Sequence, residues 1–163
     1  MTSNPLDADV QRMLQDYAAA WRSNRTTEIS RFWDADAFLF YKAEEVSNFF
    51  AEWDEVVTYW QNNERLHERV ELKFSDVQCK DCDDSLLNAA VKMRWDIRFA
   101  ADATLPDGQP FMHRGQAMGG DNHVFLLIRR DGETLRLLAW SETPDAPLTY
   151  IRSLYFKNAD PKL

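Results

Sequence analysis

The stretch Asp121–Glu142, DNHVFLLIRRDGETLRLLAWSE, carries the strongest structural signal in the chain. Two apolar runs flank Asp131-Gly132, a pair that tolerates the positive φ required at both central positions of a type I′ turn. The pattern predicts a β-hairpin with a two-residue loop, in which His123 lies opposite Trp140.

This register divides the hairpin into two faces. One face is aliphatic and ends in two polar residues: Val124, Leu126, Ile128, Leu135, Leu137 and Ala139, with Asn122 and Ser141. The other face mixes apolar and charged residues: Phe125, Leu127, Leu138 and Trp140 among Asp121, Arg129, Arg136 and Glu142. Because both faces are partly apolar, we expect helices to cover one face and a second subunit to cover the other. The hairpin therefore predicts a homodimer formed through the outer face of the sheet.

Length and charge restrict the class of protein. A chain of 163 residues fits one domain over 1–163, and its net charge of −8, with scattered basic residues, argues against nucleic-acid and anionic-membrane partners. The longest apolar runs are far too short to span a bilayer, and the first residues lack a secretory signal pattern. We therefore expect a cytoplasmic protein.

Apolar spacing elsewhere predicts helices, then strands. The predicted helices are Pro5 to Asn24, Thr27 (as N-cap) to Trp33 and Glu44 to Leu66. The predicted strands are 37–41, 69–78, 87–99 and 111–118, the last interrupted at Gly119-Gly120 by a bulge or a sharp bend. Residues 148–155 suit a short helix or an edge strand. The order α-α-β-α-β-β-β-β is typical of an α+β domain with helices on one face of an antiparallel sheet.

This order, with DYAAAW at 16–21 and FWDADA at 32–37, resembles the nuclear transport factor 2-like superfamily. Members include ketosteroid isomerase, scytalone dehydratase and the SnoaL-like polyketide cyclases. The resemblance implies a cone-shaped, strongly curved antiparallel sheet wrapped around three N-terminal helices, with a pocket between sheet and helices. It also implies, as in many members, a dimer through the outer face of the sheet.

The resemblance assigns few catalytic residues. Ketosteroid isomerases place an oxyanion-binding Tyr on the first helix, where Tyr17 falls, but Tyr41 occupies the position of their general base. Their second oxyanion donor, a protonated Asp, lies near the position of Asp121. Scytalone dehydratase carries Gly-His-Ala before an Asn, whereas here GQA at 115–117 precedes Asn122, so the His is replaced by Gln.

The residues themselves suggest a similar list. Tyr17 lies on the apolar stripe of the first helix, where it would donate to a ligand carbonyl or be a hydrogen-bonded core tyrosine. His113 and His123 titrate near neutral pH within the predicted sheet, as proton-transfer groups or as structural histidines. We take Tyr17, His113 and Asp121 as the catalytic candidates.

Aromatic residues make up 13% of the chain and include six Trp. A small cone cannot close-pack all the inward-facing indoles without leaving a ring-lined hollow. The expected ligand contacts combine these rings with orienting polar groups: Trp21, Tyr41, Trp60, Trp95, Asn122 and Ser141.

No metal or cofactor is expected. No His-x-x-x-His or His/carboxylate cluster has metal spacing. Cys79 and Cys82 form a Cys-x-x-Cys pair without a second pair, next to an acidic turn that would raise a thiol pKa. We interpret them as ordinary residues near a hairpin tip.

Two hypotheses follow. The first is a small pocket protein that binds an apolar or aromatic molecule, either without catalysis or as a cofactor-free isomerase, cyclase or dehydratase. The alternative is a non-catalytic dimerisation or partner-association module of the same fold.

Overall fold

Two helices, a short strand and a third helix precede four long strands, and a fourth helix follows them. This computed structural model describes residues 5–158. Its elements are α1 (Pro5–Arg22), α2 (Thr26–Ser30), a 3-10 turn (Ala35–Ala37), β1 (Phe40–Lys42), α3 (Trp53–Leu66), β2 (His67–Asp81), β3 (Leu86–Phe99), β4 (Ala117–Asp131), β5 (Thr134–Pro144) and α4 (Leu148–Asn158). The predicted order is confirmed, and of the two alternatives for residues 148–155 the structure has the helix, α4. Residues 1–4 and 159–163 of the predicted domain lie outside the described residues. No helix within 5–158 is long and apolar enough to cross a membrane.

The strands form one curled sheet in the order β1-β5-β4-β3-β2. The pairs among β2, β3, β4 and β5 are antiparallel, as predicted. The edge strand β1 differs, because it runs parallel to β5 with Tyr41 opposite Trp140. No hairpin joins these two strands, which are distant in sequence, so antiparallel pairing is not imposed on them. The fold is therefore the predicted α+β cone with a mostly antiparallel sheet.

The apolar stripe predicted for the first helix is the face that α1 buries. Val10, Leu14 and Tyr17 have no exposed surface, and their three- and four-residue spacing aligns them on one side of the helix. After α1, Asn24 adopts a left-handed φ of 51°, and its side-chain amide donates to the carbonyl of His67 at 2.7 Å. This bond ties the end of α1 to the start of β2.

The second helix and the first strand are shorter than predicted. Helix α2 ends at Ser30, because the chain then bridges to β5 at Trp33. Strand β1 begins at Phe40 rather than Ala37, because a 3-10 turn precedes it and the Asp34 carboxylate caps that turn by accepting from the backbone N–H of Ala37.

The third helix begins at Trp53, and the predicted start at Glu44 is wrong. A loop replaces the first two predicted turns and is held to β1 by two backbone hydrogen bonds of Phe50, of 3.0 and 2.9 Å. The helix starts where it does because Glu52 and Glu55 form a reciprocal capping box.

The two-residue loop of the central hairpin lies one residue later in the sequence than predicted. Asp131 pairs with Thr134, so the loop consists of Gly132 and Glu133. Leu138 has no partner on β4 and forms a β-bulge, at which the register shifts by one residue.

The bulge reverses the facing of the rest of β5. Trp140 pairs with Leu126 and Glu142 pairs with Val124, so Trp140 and Glu142 share the inner face with two buried residues. Ser141 is turned to the outer face. The predicted facing of Trp140, Glu142 and Ser141 is therefore wrong, because an alternation argument does not register a single extra residue.

Strand β4 runs unbroken through Gly119–Gly120 and pairs with β3 from Ala117 to Arg129. The predicted strand over 111–118 and the predicted bulge are both wrong, since residues 112–115 form turns. A Cβ atom on Gly120 would lie 3.0 Å from Cζ2 of Trp95 on the facing strand. The glycine therefore leaves room for an indole and does not bend the strand.

The outer face of the sheet is more polar than predicted. Arg94 pairs with Asp96 at 2.7 Å and with Asp121 at 3.3 Å, and His123 lies 3.6 Å from Asp145. Phe125, 48% exposed, is the principal apolar side chain there.

Candidate functional site

A cavity of about 310 Å³ lies between the inner face of the sheet, α1, α3 and the loop before α3. Aromatic rings form much of its wall: Trp21, Tyr41, Tyr59, Trp95, Phe99 and Trp140. Its polar lining residues are Glu44, Glu45, Asn63, His67 and Glu142. A volume of this size and a wall of this composition are typical of small-molecule sites.

Glu142 is the most perturbed acidic group of the cavity. The indole N–H of Trp140 donates to one carboxylate oxygen at 2.6 Å, and the amide of Asn122 donates to the other at 2.8 Å. Burial nevertheless raises the pKa of Glu142 to about 7, and the charge of Glu45 adds to this effect. A carboxyl group with this pKa accepts and returns protons near neutral pH.

Asn122 suits both protonation states of Glu142. It is only 1% exposed, and among the described residues its Oδ1 atom has no hydrogen-bond partner. In the present orientation its NH₂ group donates to the carboxylate. After rotation of the amide, Oδ1 accepts from the protonated carboxyl group.

The loop before α3 adds two further carboxylates to the same wall. The hydroxyl of Tyr59 donates to Glu45 in a short hydrogen bond. Burial raises the pKa of Glu44, and its neighbour Glu45 raises it further. Tyr41 is 3% exposed, and burial together with the charge of Glu142 raises its pKa well above the usual value, so the phenol is neutral.

Two ring nitrogens on the wall lack partners. His67 is 8% exposed, and within the described part of the chain its Nδ1 has no hydrogen-bond partner. Burial lowers the pKa of His67 to about 4, so the imidazole is neutral at pH 7. The indole Nε1 of Trp95 is likewise buried and unpaired within that part. Because a buried polar group without a partner costs free energy, both nitrogens favour a ligand that pairs with them.

Solved structures show which fold this is. A proposed scytalone dehydratase from Novosphingobium aromaticivorans superposes with a TM-score of 0.68 and 9% identity, over 85% of this chain and 83% of that one. A nuclear transport factor 2-like superfamily protein from Salmonella enterica gives 0.67 and 8% identity, over 87% and 92%. The chain has the nuclear transport factor 2-like fold. The fold that the resemblance implied is therefore confirmed.

The same fold is found in association domains. A proposed calcium/calmodulin-dependent protein kinase II association domain from Xanthomonas campestris superposes with a TM-score of 0.64 and 9% identity, over 90% of this chain and 94% of that one. No protein-family model matches the sequence, and no characterised protein matches it by sequence. At such identities the similarity establishes the fold alone, so function must be argued from the site.

Within the nuclear transport factor 2-like fold, three of the predicted ligand contacts line the cavity: Trp21, Tyr41 and Trp95. Trp60 does not line it. This residue is 1% exposed and packs its indole against the rings of Trp21 and Tyr41, with centroid distances of 6.3 and 5.5 Å. It supports the wall from behind.

Tyr17 lies in the core behind the cavity. It has no exposed surface, its hydroxyl accepts the indole N–H of Trp33 at 3.4 Å, and burial raises its pKa. Its ring packs against Trp21 and Trp140, whose other sides face the cavity. The hydroxyl predicted to meet a ligand is therefore paired inside the protein.

Replacing Tyr17 with phenylalanine is expected to lower the free energy of unfolding by about 1 kcal/mol, because Trp33 loses its acceptor. Ligand affinity should not change, since Tyr17 is absent from the wall. Urea unfolding and titration with an aromatic ligand measure the two effects. Trp95→Phe is the matched control, because it alters a ring that does line the cavity. A tenfold loss of affinity in the Tyr17 variant would contradict this placement.

The remaining predicted residues are dispersed. Asp121 is exposed on the outer face, Ser141 faces the same way, and His113 is exposed in the turns before β4. None of these three lines the cavity. Asn122 faces inward and reaches the site through its hydrogen bond to Glu142.

Sequence reasoning missed Glu142 and Trp140 as site residues. Both lie beyond the bulge at Leu138, which turns them inward. The sequence signal for the bulge is the run LLAW at 137–140, in which four consecutive apolar residues replace the alternation of apolar and polar residues. All four are buried in the structure.

Among residues 5–158, no group of three or more side chains is arranged to hold a metal ion. Cys79 and Cys82 are free thiols. Cys79 is buried near the end of β2, where burial and the neighbouring Asp7 raise its pKa to about 12, and Cys82 follows in the turn. A thiol with that pKa is a poor nucleophile.

Proposed function

We propose that this protein binds a small apolar or aromatic molecule in the cavity and moves a proton on it without a cofactor. Isomerisation, cyclisation and dehydration are the reactions of this kind. Glu142 is the proton acceptor. The observation that carries the proposal is a carboxyl group with a pKa of about 7, held by two donors on the wall of a ring-lined cavity.

The step itself is a proton abstraction next to a carbonyl group. The Glu142 carboxylate takes the proton from carbon, and the electron pair of the broken C–H bond forms an enolate. The indole N–H of Trp95, which has no partner among the described residues, donates to the enolate oxygen. The protonated Glu142 then returns its proton to another carbon, which gives isomerisation, or to a leaving hydroxyl, which gives dehydration.

Ligand deuteration in D₂O tests the proposal. A panel of aromatic ketones is screened by quenching of the cavity tryptophans, and exchange of the acidic C–H in bound ketones is followed by NMR. The exchange rate should rise with pH and level off above about 7, because only ionised Glu142 accepts a proton. Asp121→Asn, on the outer face, is the control and should keep this profile. Binding without exchange for every ketone of the panel would contradict the proton transfer.

A second candidate is a non-catalytic association module. Phe125 on the sheet is 48% exposed, and Tyr155 and Phe156 on α4 are 69% and 84% exposed. In a homodimer through the outer face of the sheet, Phe125 would be buried at the interface. No response across the ketone panel, together with a stable dimer by light scattering, would favour this function over the pocket.

A further inference from the structure

The charged groups that line the cavity, among the described residues, are carboxylates. Glu44, Glu45 and Glu142 all line it, and no Lys or Arg is among the described residues that do. The basic group of the wall, His67, is uncharged at neutral pH because burial lowers its pKa to about 4. Any ligand therefore meets a net negative wall.

Lys42 does not line the cavity, although its charge partly offsets the raised pKa of Glu44. The ammonium of Lys42 donates to the backbone carbonyls of Ala43, at 2.7 Å, and of Val46. Burial and the charge of Glu45 raise the pKa values of Glu44 and Glu142, which means that the fold disfavours the ionised carboxylates. A positive charge inside the cavity would relieve this repulsion.

The uncharged part of the wall also suits a cation. Trp21, Trp95 and Trp140 line the cavity with Tyr41 and Tyr59. The faces of such rings carry the negative side of the ring quadrupole and attract ammonium groups, most strongly when water is excluded.

An independent polar group lies toward the other end of the cavity. His67 pairs with Phe99 on β3, whereas Glu142 is level with Val124, which pairs with Val91 on the same strand. The Nδ1 atom of His67 is buried and has no partner within the described residues. The cavity wall therefore has carboxylates level with Val91 of β3 and a neutral imidazole level with Phe99.

We propose that the cavity selects an organic cation, an ammonium group carried by a flat apolar body, over its uncharged isostere. The ammonium group lies among Glu44, Glu45 and Glu142, and the flat body lies against the aromatic rings of the wall. This inference rests on the proposed function in that both use the same cavity.

A pair of isosteric probes tests the selection. The cation is 3-hydroxybenzyltrimethylammonium, and the uncharged isostere is 3-neopentylphenol, which replaces nitrogen by carbon. Isothermal titration calorimetry at pH 8 should show at least tenfold tighter binding of the cation. The preference should fall severalfold in Glu142→Gln and in Glu45→Gln. The Glu45 variant should fold as the wild type does, because Glu45 is exposed. Asp121→Asn, which removes a carboxylate from the outer face, should keep the wild-type preference for the cation.

The pH dependence is a second readout. The affinity for the cation should rise between pH 6 and pH 8 as Glu142 ionises, with release of protons on binding, while the affinity for the isostere stays constant. Tyr41, Tyr59 and His67 stay uncharged in this range, since burial raises the pKa of both tyrosines and lowers that of His67. Glu44, whose pKa burial also raises, changes the affinity in the same direction as Glu142 when it ionises. Equal or tighter binding of 3-neopentylphenol would overturn the cation proposal and leave the pocket intact. Binding of neither probe would overturn both.

Discussion

Replacing Glu142 with glutamine is expected to slow ligand deuteration at least 100-fold and, at pH 8, to make the protein more stable by about 2 kcal/mol. The rate falls because an amide does not accept the proton. The stability rises because the fold keeps Glu142 partly buried, at a pKa of about 7. A group that serves the reaction is thus expected to destabilise the structure that holds it.

The sign of the stability effect follows from proton binding. Between about pH 4.5 and 7 the folded protein holds the Glu142 proton more tightly than the unfolded chain does. Wild-type stability from this group is therefore greatest below that window and is lost as pH rises through it. His67 contributes in the opposite direction, since its lowered pKa costs stability as pH falls from about 6.5 to 4. That contribution is common to both proteins and cancels in their difference.

Glutamine should fit the site of Glu142. The glutamine oxygen accepts from Trp140. Once the Asn122 amide rotates, the glutamine NH₂ group donates to Oδ1 of Asn122, which has no other partner in the part of the chain that the structure describes. Glu133→Gln, in the exposed turn of the same hairpin, is the control and should change stability by less than about 0.5 kcal/mol. Urea unfolding at pH 5 and pH 8 measures the effect. An equal difference between variant and wild type at both pH values would refute the raised pKa.

Replacing Trp140 with alanine is expected to cost about 3–5 kcal/mol of unfolding free energy. The indole is 2% exposed and packs against Tyr17, Tyr41 and Phe74, with centroid distances of 5.5, 6.4 and 6.1 Å. Its removal leaves a hole between the sheet and α1 and deprives Glu142 of a hydrogen bond. Urea unfolding at pH 5, where Glu142 is protonated in both proteins, isolates the packing loss.

Two further variants separate the contributions of the indole. Phe125→Ala, on the same hairpin but facing outward, should cost less than about 1 kcal/mol because half of that ring is already exposed. Trp140→Phe keeps most of the packing and removes only the N–H donor, so the pKa of Glu142 and the midpoint of the deuteration profile should both rise. If Trp140→Ala costs no more than Phe125→Ala, the bulged register is wrong.

The spacing of apolar residues correctly predicted the helices and strands that bury one regular face. The stripe of α1 and the strict alternation of β3 are both found, because residues three or four apart on a helix, or two apart on a strand, share one environment. The same argument failed between 44 and 52. Apolar residues there have helical spacing, but they pack from a loop held by β1. Spacing alone does not distinguish the two arrangements.

The candidate site was predicted only in part. Trp21, Tyr41 and Trp95 are on the cavity wall because each lies on a regular element whose inward face the sequence reveals. Glu142 and Trp140 reach the same wall only through the bulge at Leu138. Tyr17, which also faces inward, lies too deep to reach the cavity, because Trp33 packs over its hydroxyl.

The amino-acid sequence by itself determined the α+β class, the order of the helices and strands and the inward faces of α1 and β3, since each depends on neighbours within one element. Only the tertiary structure decided the hairpin register, the inward turn of Glu142 and the collection of three carboxylates on one wall. These features depend on contacts between β5, β4 and the loop before α3. The pKa of Glu142 belongs with them, because burial by distant parts of the chain is its main cause.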